Sequence, residues 1–410
     1  MSGTVRKSIF FGTFVSSQSL DTLSYQRDVA VCVDEKGVIK AFDKECRQGV
    51  TVTETLLNKL GWKECDVTIW RSQKGQFYFP GFIASQYPNV GVFGKTTLMD
   101  WLNNYTFPIE SSMKDSIKWN NNCRLFCNNT IDTGNSLITP IITPRFAPSC
   151  TSQMMYKLGA LHRETGLPIQ THISENRNEI DIVHKIFPQC TSYANVYDQH
   201  GLLGKKTILA HAVHLTEEEV NLIKLRQSKI SHCPISNTAL TSGEAKIRWL
   251  LKKGIDVGLG SDVSGGYSTS ILETAKHAIL VSRHLAMNGD EEAKLSVEEA
   301  LYLATRGGAK VIGLEQKLGA FDVGMMWDVQ LIGLNSFLDD FDGGNSNSDS
   351  DSDSSNSNNR RPFRNDGKVD IFSWEVEEKS LVEKWIFNGD DRNTLAVWVQ
   401  GRLVHHRGVN

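Results

Sequence analysis

Four residues that can bind a metal or move protons follow short apolar runs in the middle of the chain. They are His172, Glu175, His211 and Asp262. Imidazole and carboxylate groups are common zinc ligands, and a glutamate beside the ion suits general acid–base chemistry. The glycines on either side of Asp262 leave space around its carboxylate. These residue types therefore predict the site of a metal-assisted hydrolase.

The elements that must position these residues are parallel β/α units. Apolar runs alternate with helical stretches, a pattern typical of such units. The runs cover residues 140–144, 168–172, 207–211, 229–233 and 255–260. Helices are predicted over 152–165 and 216–226, the second with a capping box formed by Thr216 and Glu219. In a (β/α)₈ barrel the carboxyl ends of the strands form the active-site face, so we expect the four residues to converge there.

The two ends of the chain have a different pattern. Residues 1–79 are predicted to form short strands, among them 28–34 and 38–42 on either side of a turn, and residues 385–387, 396–399 and 402–405 continue in the same style. Both ends are therefore expected to form one small β-sandwich domain. The predicted division is residues 1–79 for its N-terminal part, 80–317 for the hydrolase barrel and 318–410 for its C-terminal part. Residues 343–359 consist of Gly, Asn, Ser and Asp, and they predict a disordered insertion.

The composition excludes several classes of protein. The chain has 410 residues, of which 40% are hydrophobic and 22% charged, and a net charge of −3. The charge gives no basic face for nucleic acid, and no apolar run approaches the roughly 20 residues that cross a membrane. The eight cysteines are scattered and no signal peptide is recognisable, which favours the cytoplasm and free thiols. Cys123 and Cys127 lack a neighbouring pair and are not interpreted as a metal site.

The motifs resemble the amidohydrolase superfamily, and within it most specifically the guanine deaminases. The segments that carry the resemblance are Phe79-Pro-Gly-Phe-Ile83, Ala84-Ser-Gln-Tyr-Pro-Asn89, Pro144-Arg-Phe-Ala-Pro148, Thr171-His-Ile-Ser-Glu-Asn176, His232-Cys-Pro, Ser261-Asp-Val-Ser-Gly-Gly266 and Phe387-Asn-Gly-Asp-Asp-Arg-Asn393. They extend over nearly the whole chain, excepting 116–137 and the insertion. The resemblance implies a barrel with a small β-domain that converts guanine to xanthine and ammonia with one zinc per chain, usually as a homodimer.

The resemblance also implies roles for single residues. His172 and Asp262 match zinc ligands, and Asp262 also accepts the first proton from the attacking water. Glu175 matches the proton shuttle, and His211 matches a histidine that contacts the attacking water or the developing oxyanion. His232 also ends an apolar run, but a lone histidine there is more often structural, and that interpretation is favoured for it.

Substrate contacts are implied at a second set of positions. These are Gln86, Arg145, Phe146, His172, Glu175 and Asp262. The chemistry agrees at three of them: Arg145 can donate to a purine carbonyl, Gln86 can pair with a mixed donor and acceptor edge, and Phe146 offers a stacking face.

The sequence departs from the family pattern at two places. The family has a His-x-His pair before the Ala-Ser-Gln motif, whereas here Ile83 is followed directly by Ala84 and no histidine precedes His162. A catalytic zinc usually has three protein ligands, and only recruitment of His211 would supply a third. Residues 84–139 span 56 positions, of which 116–139 are rich in asparagine. This interval is too short for strands two and three with their helices, so the barrel is predicted to lack them.

These departures leave alternatives for origin and function. Two explanations compete for their origin: the loss of one or two stretches in splicing or gene modelling, and a degenerate paralogue without catalysis. The retained Glu175, His211 and Asp262 favour the first. In function, one alternative is a deaminase or chlorohydrolase of the same superfamily acting on another heterocycle. The other is a non-catalytic binding or dimerisation protein. With two ligand positions empty, the chain is expected to bind zinc weakly and to show little or no guanine deamination.

Overall fold

A computed structural model describes residues 6–43, 50–73, 75–81, 97–102, 139–263, 265–336, 369–371 and 378–407. The chain forms two compact units. The first contains Met1–Phe82, Ser296–Ala309 and Leu314–Asn410, and the second contains Ile83–Leu295 and Lys310–Gly313. The predicted substrate contact Gln86, the cysteines Cys123 and Cys127 and the insertion 343–359 lie outside the described residues.

The described strands are numbered in chain order. They are β1 Lys7–Ser19, β2 Thr22–Val33, β3 Ile39–Asp43, β4 Val67–Arg71, β5 Gln76–Pro80, β6 Ile169–Ile173, β7 Thr207–His211, β8 Lys229–His232, β9 Val257–Leu259, β10 Val329–Gly333, β11 Asn335–Ser336, β12 Asp370–Ile371, β13 Thr394–Val399 and β14 Arg402–His406. The described α-helices are Val50–Leu60, Leu98–Trp101, Ser152–Thr165, Arg177–Ile186, Tyr193–Gln199, Glu217–Leu225, Pro234–Ala239, Ile247–Lys252, Ile271–Met287, Val297–Tyr302, Gly308–Val311 and Glu378–Asn388. None of the described helices is long and apolar enough to cross a membrane.

The first unit contains an eight-stranded sheet with strands from both ends of the chain. Its order is β14-β13-β10-β5-β1-β2-β3, and β4 pairs with β1 in parallel. Successive side chains of a strand point to opposite faces. Phe10 and Phe14 therefore share one face, where they pack with Trp327 and Trp398, whereas Ile9 shares the other face with helix Val50–Leu60. Apolar clusters thus cover both faces of the sheet at β1 and β2.

Two helices of the first unit replace strands that the sequence predicted. Residues 385–387 were expected to be extended, but they lie in helix Glu378–Asn388, so that prediction is wrong. Val382, Trp385 and Ile386 are buried, and this spacing of three and four residues is that of one helix face. Residues 1–79 were expected to contain only strands, yet Val50–Leu60 is helical for a similar reason: Leu56 and Leu57 pack on the sheet.

The segment Ser296–Ala309 groups with the first unit, although the sequence assigned it to the hydrolase segment 80–317. Its contacts explain this grouping. The Arg306 Nε atom donates a hydrogen bond of 2.5 Å to the Ser17 carbonyl oxygen. The Thr305 hydroxyl lies 3.4 Å from the Ser17 hydroxyl. Polar contacts with β1 therefore attach this segment to the terminal strands.

The second unit contains a parallel sheet in the order β6-β7-β8-β9. The predicted helix over 152–165 is confirmed, and the predicted helix over 216–226 is confirmed as Glu217–Leu225 with the Thr216–Glu219 capping box. The predicted run at 140–144 contributes only an isolated parallel bridge from Ile142 to Ile169. Consecutive parallel strands with helices between them place the carboxyl ends of β6 to β9 along one edge, where the candidate residues lie.

Candidate active site

Three candidate ligands meet at the carboxyl ends of the parallel strands. His172 lies in β6, His211 ends β7, and Asp262 follows β9 by three residues. The ligand atoms of the three side chains lie within 4.8 Å of one another. The two imidazole rings are nearly parallel, with centroids 5.1 Å apart. Two imidazole nitrogens and a carboxylate oxygen form a donor set that catalytic zinc sites use, so these residues fit such an ion.

Outer hydrogen bonds determine which nitrogen each histidine presents. The Nδ1 atom of His172 lies 2.6 Å from the carbonyl oxygen of Arg145. The Nδ1 atom of His211 lies 2.8 Å from the Oδ1 atom of Asn237. Both oxygens only accept hydrogen bonds, so each Nδ1 atom carries the proton and donates it. The lone pair of each ring is therefore on Nε2.

Glu175 is buried beside the two histidines. Its Oε2 atom lies 3.4 Å from the Nε2 atom of His211, and its Oε1 atom accepts a hydrogen bond of 2.9 Å from the Ser242 hydroxyl. Burial and, to a smaller extent, the Asp262 carboxylate raise the pKa of the Glu175 carboxyl to about 8, against the opposing effects of His172 and the Ser242 hydrogen bond. A carboxyl group held in this way can both carry and release a proton.

The backbone turns into the left-handed region at the site. The φ angles are +48° at Ser174, +71° at His211 and +44° at Asp262. This conformation is unfavourable for residues other than glycine, by about 1–3 kcal/mol each, and persists where the surroundings enforce it. Three such residues, two of them candidate ligands and one preceding Glu175, indicate that the strand ends are held to aim side chains into the site.

A buried polar chain connects β6 to the loop that follows Ile142. The Tyr197 hydroxyl donates to the carbonyl oxygen of His172 at 2.8 Å and accepts from the backbone N–H of Ala147 at 3.0 Å. It also accepts from the Thr171 hydroxyl at 2.9 Å. Nearby, the Glu179 carboxylate accepts from the backbone N–H of Glu175 at 2.9 Å. The Tyr197 contacts fix β6, which carries His172, against the segment that contains Arg145 and Phe146.

The remaining predicted residues, Phe146, Arg145 and His232, differ in their burial and in their contacts with the ligand cluster. Phe146 is buried in an apolar cluster with Leu98, Leu102 and Leu240, and its ring centroid lies 6.4 Å from that of His172. Arg145 contacts His172 through its carbonyl oxygen. His232 is fully buried, and burial lowers its pKa to about 3, with His211 adding to the fall. Within the described residues, the ring nitrogens of His232 have no hydrogen-bond partner.

Sequence reasoning missed three residues of the site. Asn237 and Ser242 hydrogen-bond the predicted residues His211 and Glu175. Gly265 is required for space, because a Cβ atom there would lie 2.7 Å from Oδ2 of Asp262 and 2.6 Å from the Ser236 hydroxyl. Asn237 and Ser242 had no diagnostic spacing, since both lie in and after a short helix. The repeated glycines after Asp262 were a usable signal for close contact.

Comparisons with known proteins agree with this arrangement. An amidohydrolase family model matches residues 79–404. The guanine deaminase of Dictyostelium discoideum is 32% identical over 97% of this chain and 98% of its own length. The probable guanine deaminase of Schizosaccharomyces pombe is 37% identical over 83% of this chain and 73% of its own length. A solved guanine deaminase from C. acetobutylicum with bound guanine in the active site is 26% identical, has a TM-score of 0.74 and covers 98% of this chain and 100% of its own. The fold is that of these proteins, of the (β/α) barrel type, and the chain belongs to the amidohydrolase family.

Proposed function

We propose that this chain catalyses the hydrolytic deamination of guanine to xanthine and ammonia. The observation that carries the proposal is the position of Glu175, whose carboxylate lies 3.4 Å from His211 in the cluster with His172 and Asp262. Similarity to guanine deaminases over nearly the full chain supports guanine as the substrate. The reaction adds water to the carbon that bears the exocyclic amine, forms a C–O bond and breaks the C–N bond to release ammonia.

The proposed cofactor is one zinc ion, held by His172 and Asp262. The free Nε2 atom of His172 and the half-buried Asp262 carboxylate supply the two donors. Bound zinc lowers the pKa of a coordinated water to about 7 and so provides the nucleophile at neutral pH. The resemblance gives His211 a hydrogen bond to the oxygen of the tetrahedral intermediate, and its Nε2 atom faces the same space as Glu175 and Asp262.

The side chains then divide the proton transfers. Asp262 accepts the proton of the attacking water. Glu175 donates its proton to the ring nitrogen of the purine, takes up the hydroxyl proton of the tetrahedral intermediate and passes that proton to the departing amine, which leaves as ammonia. The proton held by Asp262 then restores the Glu175 carboxyl group. The Ser242 hydroxyl orients one Glu175 oxygen, and the backbone at Glu175 is held by Glu179. A carboxyl fixed at both its side chain and its backbone can reach both nitrogens with little reorganisation.

We further propose that Gln86, Arg145 and Phe146 recognise the purine. For Arg145 and Phe146 the support is their place in the segment bonded to β6, beside His172. Gln86 is proposed from its motif alone. Phe146 packs among apolar neighbours, and its ring is inclined at 66° to that of His172.

Other features remain proposals. We propose a cytoplasmic homodimer and a terminal β-sandwich domain, the latter supported by the apolar clusters that cover both faces of the eight-stranded sheet at β1 and β2. We also propose that barrel strands two and three are lacking, on the length of 84–139. Sequencing the transcript across Ile83–Ala84 and across 116–139 tests this, and light scattering after size-exclusion chromatography tests the dimer.

The test of function is xanthine formation by the purified, zinc-loaded full chain. Guanine should be deaminated, whereas adenine, cytosine and a triazine should give little ammonia under the same conditions. A preference for another heterocycle would assign the chain to a different deaminase or chlorohydrolase of the family. Absence of turnover on all four compounds, in protein that contains zinc and unfolds cooperatively, would support the non-catalytic alternative.

A further inference from the structure

We infer that His211 is a metal ligand in this chain, so that His172, His211 and Asp262 together hold one zinc-type divalent cation. We also infer that Asn237 is the positioning residue that directs the His211 ring toward the ion. The inference rests on the proposed function only for the type of metal. It assigns His211 a role different from the contact with the attacking water that the resemblance implies.

The need for a third donor follows from the sequence. The two histidines expected before Ala84 are absent, and no histidine precedes His162. His172 and Asp262 alone would leave a zinc ion with two protein ligands, whereas catalytic zinc sites have three. Within the described residues, the only group of His, Cys, Asp and Glu side chains with metal-binding spacing is His172, His211 and Asp262.

The distances suit a shared ion. The Nε2 atom of His211 lies 3.8 Å from Oδ2 of Asp262, and all three ligand atoms lie within 4.8 Å of one another. Two donors at about 2.1 Å from a tetrahedral zinc ion are about 3.4 Å apart. The His211 and Asp262 atoms are therefore near the required separation. A bound ion would draw the three ligand atoms closer together through rotation of the side chains.

The hydrogen bond of Asn237 decides what His211 can do. Because the Asn237 Oδ1 atom accepts the Nδ1 proton at 2.8 Å, the neutral His211 ring has its lone pair on Nε2, on the side that faces Glu175 and Asp262. A hydrogen bond to an intermediate oxyanion requires a proton on Nε2, whereas metal ligation requires the lone pair. His172 has the same arrangement through the Arg145 carbonyl oxygen. Both rings thus match zinc-binding histidines, which donate the other N–H to a fixed acceptor.

Burial gives a second, independent argument. His211 is 0% exposed, and its Nε2 atom has no hydrogen-bond partner within the described residues. An unpaired polar atom removed from water is unfavourable, so the position of Nε2 between Glu175 and Asp262 favours binding of a proton or a cation there. A cation between His211 and Asp262 satisfies the nitrogen lone pair and the carboxylate at once.

The test is metal binding by the full chain after removal of metal with a chelator. Zn²⁺ is titrated against a chromophoric chelator, and Co²⁺ is titrated to record its visible absorption. The wild type should bind one equivalent. His211→Gln, which keeps a polar side chain of similar size, should weaken Zn²⁺ binding by about 100-fold or more and change the Co²⁺ spectrum. The matched control is His284→Gln at an exposed histidine, which should bind as the wild type does.

Two variants of Asn237 test its positioning role. They also test metal binding through His211 if the His211→Gln protein does not fold. Asn237→Asp keeps the acceptor and should bind Zn²⁺ within about threefold of the wild type, whereas Asn237→Leu removes the acceptor and should lose about 10- to 100-fold. Imidazole ¹⁵N shifts of His211 in the metal-free protein should show the Nδ1–H form in the wild type and Asn237→Asp, and a mixture in Asn237→Leu. Rescue by aspartate distinguishes positioning from general packing.

Two results would overturn the inference. One is a folded His211→Gln protein with wild-type affinity and Co²⁺ spectrum; the other is a wild type that binds no Zn²⁺. Xanthine formation by the same samples separates this inference from the proposed function. Zinc bound through His211 without turnover refutes the function and keeps the site. Turnover with an affinity that is independent of His211 keeps the function and refutes the site.

Discussion

The Oε2 atom of Glu175 lies 3.4 Å from the Nε2 atom of His211, in a region from which water is largely excluded. On its opposite side, the imidazole of His211 donates to Asn237, so its Nε2 lone pair faces the carboxylate. Two electron-rich groups at this distance repel unless a proton or a cation lies between them. The pair therefore marks the place where the proposed chemistry combines proton transfer with metal binding.

Replacing Glu175 by glutamine tests the proton shuttle. Glu175→Gln should retain zinc and guanine binding and reduce turnover by a factor of about 10² or more, because an amide cannot exchange the proton. Xanthine formation and zinc content are measured on the same sample. The control is Glu218→Gln at an exposed carboxylate, which should leave turnover unchanged. Near-normal turnover in Glu175→Gln would remove Glu175 from the mechanism.

Gly265→Ala tests whether space beside Asp262 is required. The added methyl group would lie 2.7 Å from Oδ2 of Asp262, so the carboxylate must move. We expect zinc affinity to fall about tenfold with little change in melting temperature, since the displaced group is a flexible side chain. Gly204→Ala is the control, because nothing lies within 4 Å of a Cβ atom there. Unchanged affinity would show that Asp262 is not a ligand.

Tyr197→Phe tests the connection between β6 and the Arg145 segment. Loss of the hydroxyl leaves the N–H of Ala147 without its acceptor and leaves the Thr171 hydroxyl with only its 3.3 Å contact to the Arg145 carbonyl oxygen, which should reduce the free energy of unfolding by about 1–3 kcal/mol. Since Arg145 and Phe146 precede Ala147, the KM for guanine should rise more than kcat falls. Tyr156→Phe, at an exposed tyrosine, controls for loss of a hydroxyl. Equal stability and equal KM in the two variants would contradict the proposed connection.

His232 should make the fold sensitive to acid. Burial lowers its pKa from the ordinary 6.5 to about 3, so between these values the unfolded chain binds a proton that the folded chain does not. The free energy of unfolding therefore falls as pH falls through this window, by at most about 1.4 kcal/mol per pH unit from this residue, and this effect is absent above it. His232→Leu should reduce the slope measured by urea unfolding at several pH values. Identical slopes in wild type and variant would show that His232 does not titrate in this way.

The sequence by itself identified the alternation of parallel strands and helices and the four residues of the site. The apolar runs that end in His172 and His211 are recognised from neighbouring residues alone, and so is the capping box at Thr216. The structure has the corresponding strands β6 and β7 and the capped helix Glu217–Leu225. The helices Val50–Leu60 and Glu378–Asn388 were missed. In such short apolar stretches, helix and strand are distinguished by the surface on which the side chains pack, which is not a local property.

The tertiary structure alone decided what the site residues can do. The sequence showed that a pair of ligands is absent, but it did not show that His211 presents a lone pair to Asp262. That depends on Asn237, which lies 26 positions away in the chain, and on the left-handed backbone at His211 and Asp262. The proton on an imidazole ring is set by the acceptor that reaches its other nitrogen, and only folding brings that acceptor into place.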